Sequence, residues 1–322
     1  MINVFAHVNG KTSPVDRVDP AWLVPGNGVT VWVNLSNPTP EEGREILTDL
    51  FHFHDLAVED AMSALEFPKV ESYGDYLYVI LHRIDFKAPE HCFRTHDVDF
   101  FLGANYLVTI HSGESRSIDD VCQVCQRNSR ALGEGAAAFM HRIVDSMVDN
   151  YRPEVEELGE RLDEIEEKVF ESSSPSLAKD IINFKRDVSS LRRVVQPQRD
   201  VVGRLGRREF GFIDEQIAYR FRDVHDHLVR LVDESMFLQD RITSLLDANM
   251  TTVSNQLNSV MKVLTVIATL FMPLTVLTGM WGMNVDLPAL PGGAASQFWW
   301  IAGAMVAISG TMLALFRRNG WL

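Results

Sequence analysis

Positive charge is missing from one long part of this chain. No Lys or Arg occurs between Val263 and Phe316, and the one acidic residue there is Asp286. The 322 residues carry a formal net charge of −14, and nearly all of the charged residues lie before that stretch. This distribution predicts an acidic, water-exposed body followed by an apolar end. The acidic balance also argues against a nucleic-acid-binding protein, which needs basic side chains to neutralise phosphates.

Several signatures of chemistry are also absent. Three cysteines do not make a disulfide framework, and Cys122-x-x-Cys125 has no second pair with which to hold zinc. The sequence has no phosphate-binding Gly-rich loop, no H-E-x-x-H and no nucleophile elbow, so an enzyme is not expected. Residues 1–10 lack the charged and apolar regions of a secretory signal, and none is expected there.

Two uncharged segments occupy the apolar end. They are Val263–Met280, with 18 residues, and Phe298–Phe316, with 19, and each is close to the length that crosses a bilayer. Pro273 lies in the first, where a membrane helix can tolerate it. Two buried helices of a soluble core are the less favoured alternative. We therefore predict a membrane hairpin.

The charges that flank the two spans predict their orientation. The connecting loop, about Trp281–Gln297, has no positive charge, whereas Lys262, Arg317 and Arg318 lie at the opposite ends. The excess of positive charge on cytoplasmic ends places both termini in the cytoplasm. Because a single hairpin encloses no polar path, any transport requires a homo-oligomer with the path on its symmetry axis.

The body shows strand patterns first and helix patterns later. Apolar or alternating runs predict four strands of an α/β unit: Val29–Leu35, Tyr76–His82, Val98–Leu102 and Tyr106–Ile110. Helices are predicted between them at Glu41–Phe51 and Leu56–Ala64. Further on, helices are predicted at Ala136–Phe170, at Ser176–Val195 with an end near Pro197, and at Asp214–Met280. The last would be about 100 Å long at 1.5 Å per residue.

Gly282-Met283-Asn284 follows the first span, and alone it is a common turn. Its surroundings are more specific: Asn258–Thr265 (NSVMKVLT), Phe271–Thr275 (FMPLT) and Gly279–Asn284 together closely resemble the CorA family of divalent-cation channels. The likeness continues at Leu56–Asp60, Phe67–Glu71, Phe221–His227 and the basic tail Arg317–Leu322. It covers most of the chain and is weakest over the first 25 residues.

The resemblance implies a funnel-shaped homopentamer with a cytoplasmic α/β domain, a long-helix stalk and a two-helix transmembrane hairpin. The corresponding divisions are an α/β domain (1–118), a helical region (119–212), a stalk helix (213–262), a pore-lining span (263–280), an outer loop (281–297), a second span (298–316) and a cytoplasmic tail (317–322). The implied function is influx of Mg²⁺, with Co²⁺ or Ni²⁺ as further ions. A divalent ion moving through 100 mV gains about 4.6 kcal/mol, so no ATP is needed.

The resemblance also implies site residues. Gly282, Met283 and Asn284 form the selectivity filter, where a ring of amide oxygens binds hydrated Mg²⁺ through the waters that this ion releases reluctantly. Pore-lining positions recur every three or four residues along the first span: Asn258, Met261, Leu264, Met272, Thr275 and Gly279. Ordinary packing of small residues between helices would give the same spacing. Met261, Leu264 and Met272 would close the pore by dewetting.

Asp60 and Asp223 match the family's intersubunit regulatory site, and Asp247 matches an acid near the cytoplasmic entrance of the pore. A divalent ion shared by Asp60 and Asp223 of neighbouring subunits would hold the channel closed. Two solvated surface acids are the plain alternative. His225 and His227 flank Asp223 and are the histidines of most interest.

Two alternatives stay open. The zinc transporters of the ZntB type share the architecture and a Gly-x-Asn mouth, and Asp286 with Pro291-Gly292-Gly293 is similar to that branch, which would make Zn²⁺ the transported ion. A protein that uses the hairpin only as an anchor, for a sensor or scaffold, would need no polar and small-residue stripe on its first span.

Overall fold

The computed structural model describes residues 1–63, 66–87, 92–128, 130–171, 175–284 and 293–321. Asp286, Pro291, Gly292 and the serines before Pro175 lie outside the described residues. The chain divides into two compact units, Met1–Leu246 and Asp247–Leu322. The first holds the sheet and most helices, and the second holds the apolar helices.

A seven-stranded mixed sheet forms the centre of the first unit. Its spatial order is β2-β1-β3-β7-β6-β5-β4, and β3 and β7 are parallel whereas the other neighbours are antiparallel. The strands are β1 (Ile2–Val8), β2 (Lys11–Val15), β3 (Thr30–Ser36), β4 (Lys69–Ser72), β5 (Tyr76–Lys87), β6 (Cys92–Gly103) and β7 (Tyr106–His111).

The four strands predicted from sequence are the adjacent strands β3, β7, β6 and β5. These strands are easy to predict because a strand that is buried on both faces has a nearly continuous apolar run. The sequence prediction missed β1, β2 and β4. The edge strands β2 and β4 give weak patterns, since β2 contains Pro14 and β4 has four residues.

One face of the sheet is covered by a short helical layer. Thr39 caps α1 (Pro40–Gly43) through a reciprocal pair of bonds with Glu42, and a π-helical segment (Arg44–Leu50) and α2 (Asp55–Met62) follow. Apolar side chains of these segments and of the connection before α2 pack on the sheet and form the core with it. Leu47, Phe53, Ala57 and Ala61 are buried against Val33, Tyr78, Ile80 and Phe101.

The opposite face packs against the long helices of the body. These are α3 (Arg116–Arg127), α4 (Ala136–Asp149), α5 (Tyr151–Glu171) and α6 (Pro175–Gly206). The rings of Trp32 and Phe139 pack against each other at an angle of 58°, with 4.7 Å between centroids. A buried polar network ties α5 and α6 to β5: Tyr151 donates to the carbonyl of His82, and the side-chain oxygen of Gln198 accepts from the amide of His82.

Two helix boundaries predicted from sequence are wrong. The predicted helix Ala136–Phe170 is interrupted at Asn150, so that α4 and α5 are separate. The predicted end near Pro197 is absent, because α6 continues to Gly206. A proline inside a helix costs about 3 kcal/mol. Buried residues on both sides, Val195 and Val202, offset that cost by packing.

Within the part of the chain that the structure describes, two helices are long and apolar enough to cross a membrane, and the apolar segments of both lie in the second unit. They are α7 (Glu215–Trp281), which begins in the first unit, and α8 (Ala294–Arg318). The apolar windows of both are almost entirely exposed in the single chain. A helix that is apolar all round and unburied is typical of a membrane span. The long helix predicted at Asp214–Met280 agrees with α7 to within a residue.

Candidate ion pathway and cation sites

The predicted pore-lining stripe lies on one face of α7. At 100° per residue its six members fall within an arc of about 120°. All six are exposed in the single chain: Asn258, Met261, Leu264, Met272, Thr275 and Gly279. The hydroxyl of Thr275 donates to the carbonyl of Phe271, so its oxygen remains an acceptor on this face.

A different face of α7 packs toward α8. Val266 is buried, and the less exposed residues that follow it on the same side include Thr269, Pro273 and Leu277. A groove of about 590 Å³ between the helices is lined by residues of α7 together with Ile308 and Met312. The centre of this covered face is about 150° from that of the stripe. Most of the stripe is therefore turned away from the chain's own second span, and Met272 at its edge also lines the groove.

The Gly282-Met283-Asn284 segment leaves α7 in a tight turn. The amide of Gly282 donates to the carbonyl of Thr278 at 2.9 Å, and all three residues are exposed. A Cβ on Gly282 would lie 3.0 Å from that carbonyl oxygen, so a larger residue here would shift the turn by a few tenths of an ångström. The turn fixes Asn284 three residues beyond the end of the helix.

Asp60 lies on α2 and forms an ion pair with Lys69 on β4. Nζ of Lys69 lies 2.5 Å from Oδ2 of Asp60 and 3.6 Å from Oε2 of Glu71, and both members of the first pair are about 70% buried. Burial alone would lower the pKa of Lys69, but the hydrogen bond to Asp60 and the nearby carboxylates raise it. Lys69 therefore stays charged, and Asp60 already holds a cation in the single chain.

Asp223 and Asp247 are both exposed on α7, and Asp247 belongs to the second unit. The side chain of Asp223 is 74% exposed, and its Oδ2 lies 4.0 Å from Nε2 of His227, one turn further along the helix. An exposed carboxylate with a neighbouring imidazole can bind a metal ion together with a ligand from another molecule.

Beside Asp223, the structure gathers a group that the sequence prediction missed. Asp145 and Asp149 on α4 and His227 on α7 have ligand atoms within 4.8 Å of one another. Burial raises the pKa of Asp145, and the negative charges of Asp149 and Asp223 raise it further, while the two neighbouring histidines oppose that effect. Two carboxylates and an imidazole are a ligand set for Zn²⁺, Co²⁺ or Ni²⁺. In the sequence, the four-residue spacing of Asp145 and Asp149 was the one pattern that could have indicated this group.

The Cys122-x-x-Cys125 pair is placed on α3, partly or fully buried, without a disulfide. Burial raises the pKa of each thiol to about 12, and the charge of Asp119 adds to the effect at Cys122. Both are therefore protonated at neutral pH and are poor metal ligands.

Comparison with known proteins supports one family. A profile described as "CorA-like Mg2+ transporter protein" matches residues 27–318. The chain is 31% identical to YfjQ, a candidate metal ion transporter of Bacillus subtilis, over 100% of this chain and 98% of that protein. It is 28% identical to the cobalt/magnesium transport protein CorA of Thermotoga maritima, over 97% of this chain and 88% of that one.

The same fold occurs in a solved structure. The complete CorA magnesium transporter of Methanocaldococcus jannaschii superposes with a TM-score of 0.85 at 20% identity, over 100% of this chain and 99% of that one. This confirms the predicted class, a mixed α/β domain followed by a long helix and a two-helix apolar hairpin.

Proposed function

The chain belongs to the family of CorA-like Mg²⁺ transporters, and from this premise we propose that it is a membrane channel for influx of divalent cations, chiefly Mg²⁺. Its family is one of transporters, not enzymes. The membrane potential drives the ion inward, and Co²⁺ and Ni²⁺ are further permeant ions. Both termini lie in the cytoplasm, as the distribution of Lys262, Arg317 and Arg318 indicates.

The observation that carries the proposal is the uncovered stripe of α7. Apart from Met272, which also lines the groove with α8, its members face away from that helix. They alternate between polar, apolar and small side chains, from Asn258 to Gly279. Asn258, in the stalk helix just before the span, extends the same exposed face with a polar amide. We therefore assign this face to a central path between copies of the chain, with the homopentamer of the family as the assembly. The exposed Met261, Leu264 and Met272 form its hydrophobic constriction.

The mouth of the path is assigned to Asn284, with Gly282 and Met283 shaping the turn. Neutral amide oxygens can bind the hydrated ion without removing its waters. A carboxylate ring in this place would hold a divalent ion more strongly and release it more slowly.

Regulation is assigned to acidic residues on α2, α4 and α7. In this proposal Asp60 of one subunit and Asp223 of its neighbour share a divalent ion, and Asp247 acts nearer the pore. The Asp145, Asp149 and His227 group extends the cation-binding surface next to Asp223. When cytoplasmic metal falls, the carboxylates repel one another and the closed ring loosens.

Lys69 competes with the regulatory ion for Asp60. Since its ammonium lies 2.5 Å from the Asp60 carboxylate, a divalent ion must displace it. We expect Lys69→Met to lower the internal Mg²⁺ concentration that half-closes the channel by roughly threefold, because a partly exposed ion pair is worth about 0.7 kcal/mol. Uptake measured against internal Mg²⁺ checks this. Lys69→Arg keeps the charge and should leave closure unchanged; a rise in the closing concentration with Lys69→Met contradicts the competition.

Ion uptake into proteoliposomes tests the proposed function. Uptake of Mg²⁺, of Co²⁺ and of Zn²⁺ by the purified wild-type protein is measured and compared, with and without an inside-negative potential. We expect Mg²⁺ uptake that rises with the potential. No uptake of any ion by intact oligomers would favour the membrane-anchored sensor or scaffold instead.

A zinc transporter is the second candidate. The zinc transport protein ZntB of Cronobacter sakazakii is 24% identical over 96% of this chain and 90% of that protein. The imidazole of His227 beside two carboxylates also suits Zn²⁺. Zn²⁺ uptake without Mg²⁺ uptake, especially if a proton gradient drives it, would favour this candidate.

A further inference from the structure

We propose that a cavity at the N-terminal end of α3 binds the phosphate group of a small anion. The cavity has a volume of about 240 Å³ and lies in the first unit, between β5, α3 and the junction of α4 with α5. Its polar lining comes from Arg83, Ser115, Arg116, Ser117, Asn150 and Glu154. It uses none of the residues assigned above to ion transport or to its regulation.

The start of α3 provides the first part of the site. The helix has twelve residues, Arg116–Arg127, and the cap residue Ser115 makes no side-chain bond to its first amides. The first amides of a helix have no partner within the helix, and the helix dipole adds positive potential at that end. Three consecutive residues at this end, Ser115 to Ser117, line the cavity. Oxyanions bind at such ends.

The Ser115 hydroxyl is the second, independent part. The residue is fully buried, and Oγ has no hydrogen-bond partner among the described residues. A buried hydroxyl without a partner is unfavourable, so its presence indicates a missing acceptor. Ser117 supplies a matching donor: its oxygen accepts from the side-chain amide of Asn150 at 2.7 Å, which leaves the hydroxyl proton to point at an anion.

Two guanidinium groups provide the charge. Arg83 is only 7% exposed, and its Nη2 donates to the carbonyl of Ser112 at 2.8 Å, which fixes the group at the cavity wall. Arg116 is exposed at the rim. Among the described lining residues, Glu154 is the one carboxylate beside two arginines, so their formal charges sum to a net positive value. Guanidinium groups pair with phosphate oxygens through parallel hydrogen bonds.

The size of the cavity limits the ligand. Its 240 Å³ is below the range of about 300–1,000 Å³ that is usual for drug-sized ligands. A tetrahedral oxyanion with a few further atoms fits, whereas a nucleotide does not. The ligand is therefore inorganic phosphate or a small phosphate monoester.

Isothermal titration of the full-length protein in detergent tests the site. Inorganic phosphate and glycerol 3-phosphate are the two probes, in Mg²⁺-free buffer with ionic strength balanced by chloride. The variants are Ser115→Ala and Arg116→Gln. The matched control is Arg127→Gln, which removes the same charge from an exposed position at the other end of α3.

We expect Arg116→Gln to weaken binding at least tenfold and Ser115→Ala about fivefold, since each removes a donor to an anion. Arg127→Gln should bind as the wild type does. Tighter binding of glycerol 3-phosphate would identify a monoester as the ligand; tighter binding of inorganic phosphate would identify the free ion. Ser115→Ala removes a hydroxyl that has no partner, so it should not impair folding. Equal affinities for all four proteins, or no binding of either probe, would overturn the proposal.

Discussion

Asn284→Ala is expected to reduce Mg²⁺ uptake into proteoliposomes at least tenfold. In the proposed pentamer the substitution removes five amide oxygens at once from the mouth of the path. Each hydrogen bond to a first-shell water contributes about 1 kcal/mol, so their joint loss removes the site that concentrates the hydrated ion. The turn itself does not depend on the amide, because the Gly282 amide bonds to the backbone of Thr278.

Asn319→Ala is the matched control for this experiment. It deletes the same amide from an exposed residue just beyond the other end of the hairpin, at the C-terminal cap of α8. We expect it to transport Mg²⁺ at the wild-type rate. Size-exclusion chromatography should show the same oligomer for all three proteins. Wild-type uptake by Asn284→Ala in an intact oligomer would remove Asn284 from the ion path.

The double substitution Asp60→Ala and Asp223→Ala should weaken closure by internal Mg²⁺. We expect the half-closing concentration to rise at least about tenfold, since a hard divalent cation depends on carboxylate oxygens for its affinity. Uptake at fixed external Mg²⁺, measured over a series of internal concentrations, gives the closing curve. Maximal uptake at low internal Mg²⁺ should not fall, because neither residue lies on the proposed path.

Asp226→Ala is the control for lost negative charge. Its side chain is 72% exposed, almost as much as the 74% of Asp223, and it lies three residues further along α7. If closure depended only on the total acidic charge, this variant would shift the curve as far as Asp223→Ala does. Unchanged closure in the double variant would mean that the ion that closes the channel binds elsewhere.

Sequence and structure agree best where one local pattern covers a whole element. Strands β3 and β7 are predictable because they are buried on both faces. Helix α7 is predictable because no proline interrupts it before Pro273. The prediction failed at Pro197, where local propensity argued for a helix end. There the packing of α6 against the body outweighs the lost backbone hydrogen bond.

Some of the candidate sites could likewise be found from the sequence, and others could not. The stripe from Asn258 to Gly279 follows the period of one helix, so the sequence was enough to place its residues on one face. Its pore-lining role and that of the Gly282-Met283-Asn284 segment are implied by the resemblance of the sequence to the CorA family. The Asp145–His227 group was missed, because its ligands come from helices about 80 residues apart in the chain, and residue spacing carries no information on that approach.

The sequence by itself determined the apolar hairpin, the length of α7 and the residues along its exposed face, because each follows from composition and helical period. Only the tertiary structure decided which groups meet: Lys69 with Asp60, His227 with Asp145, and Arg83 with the start of α3. Those meetings depend on how the sheet and the helices pack. Packing is set by the shapes and volumes of many buried side chains at once, and no local pattern contains it.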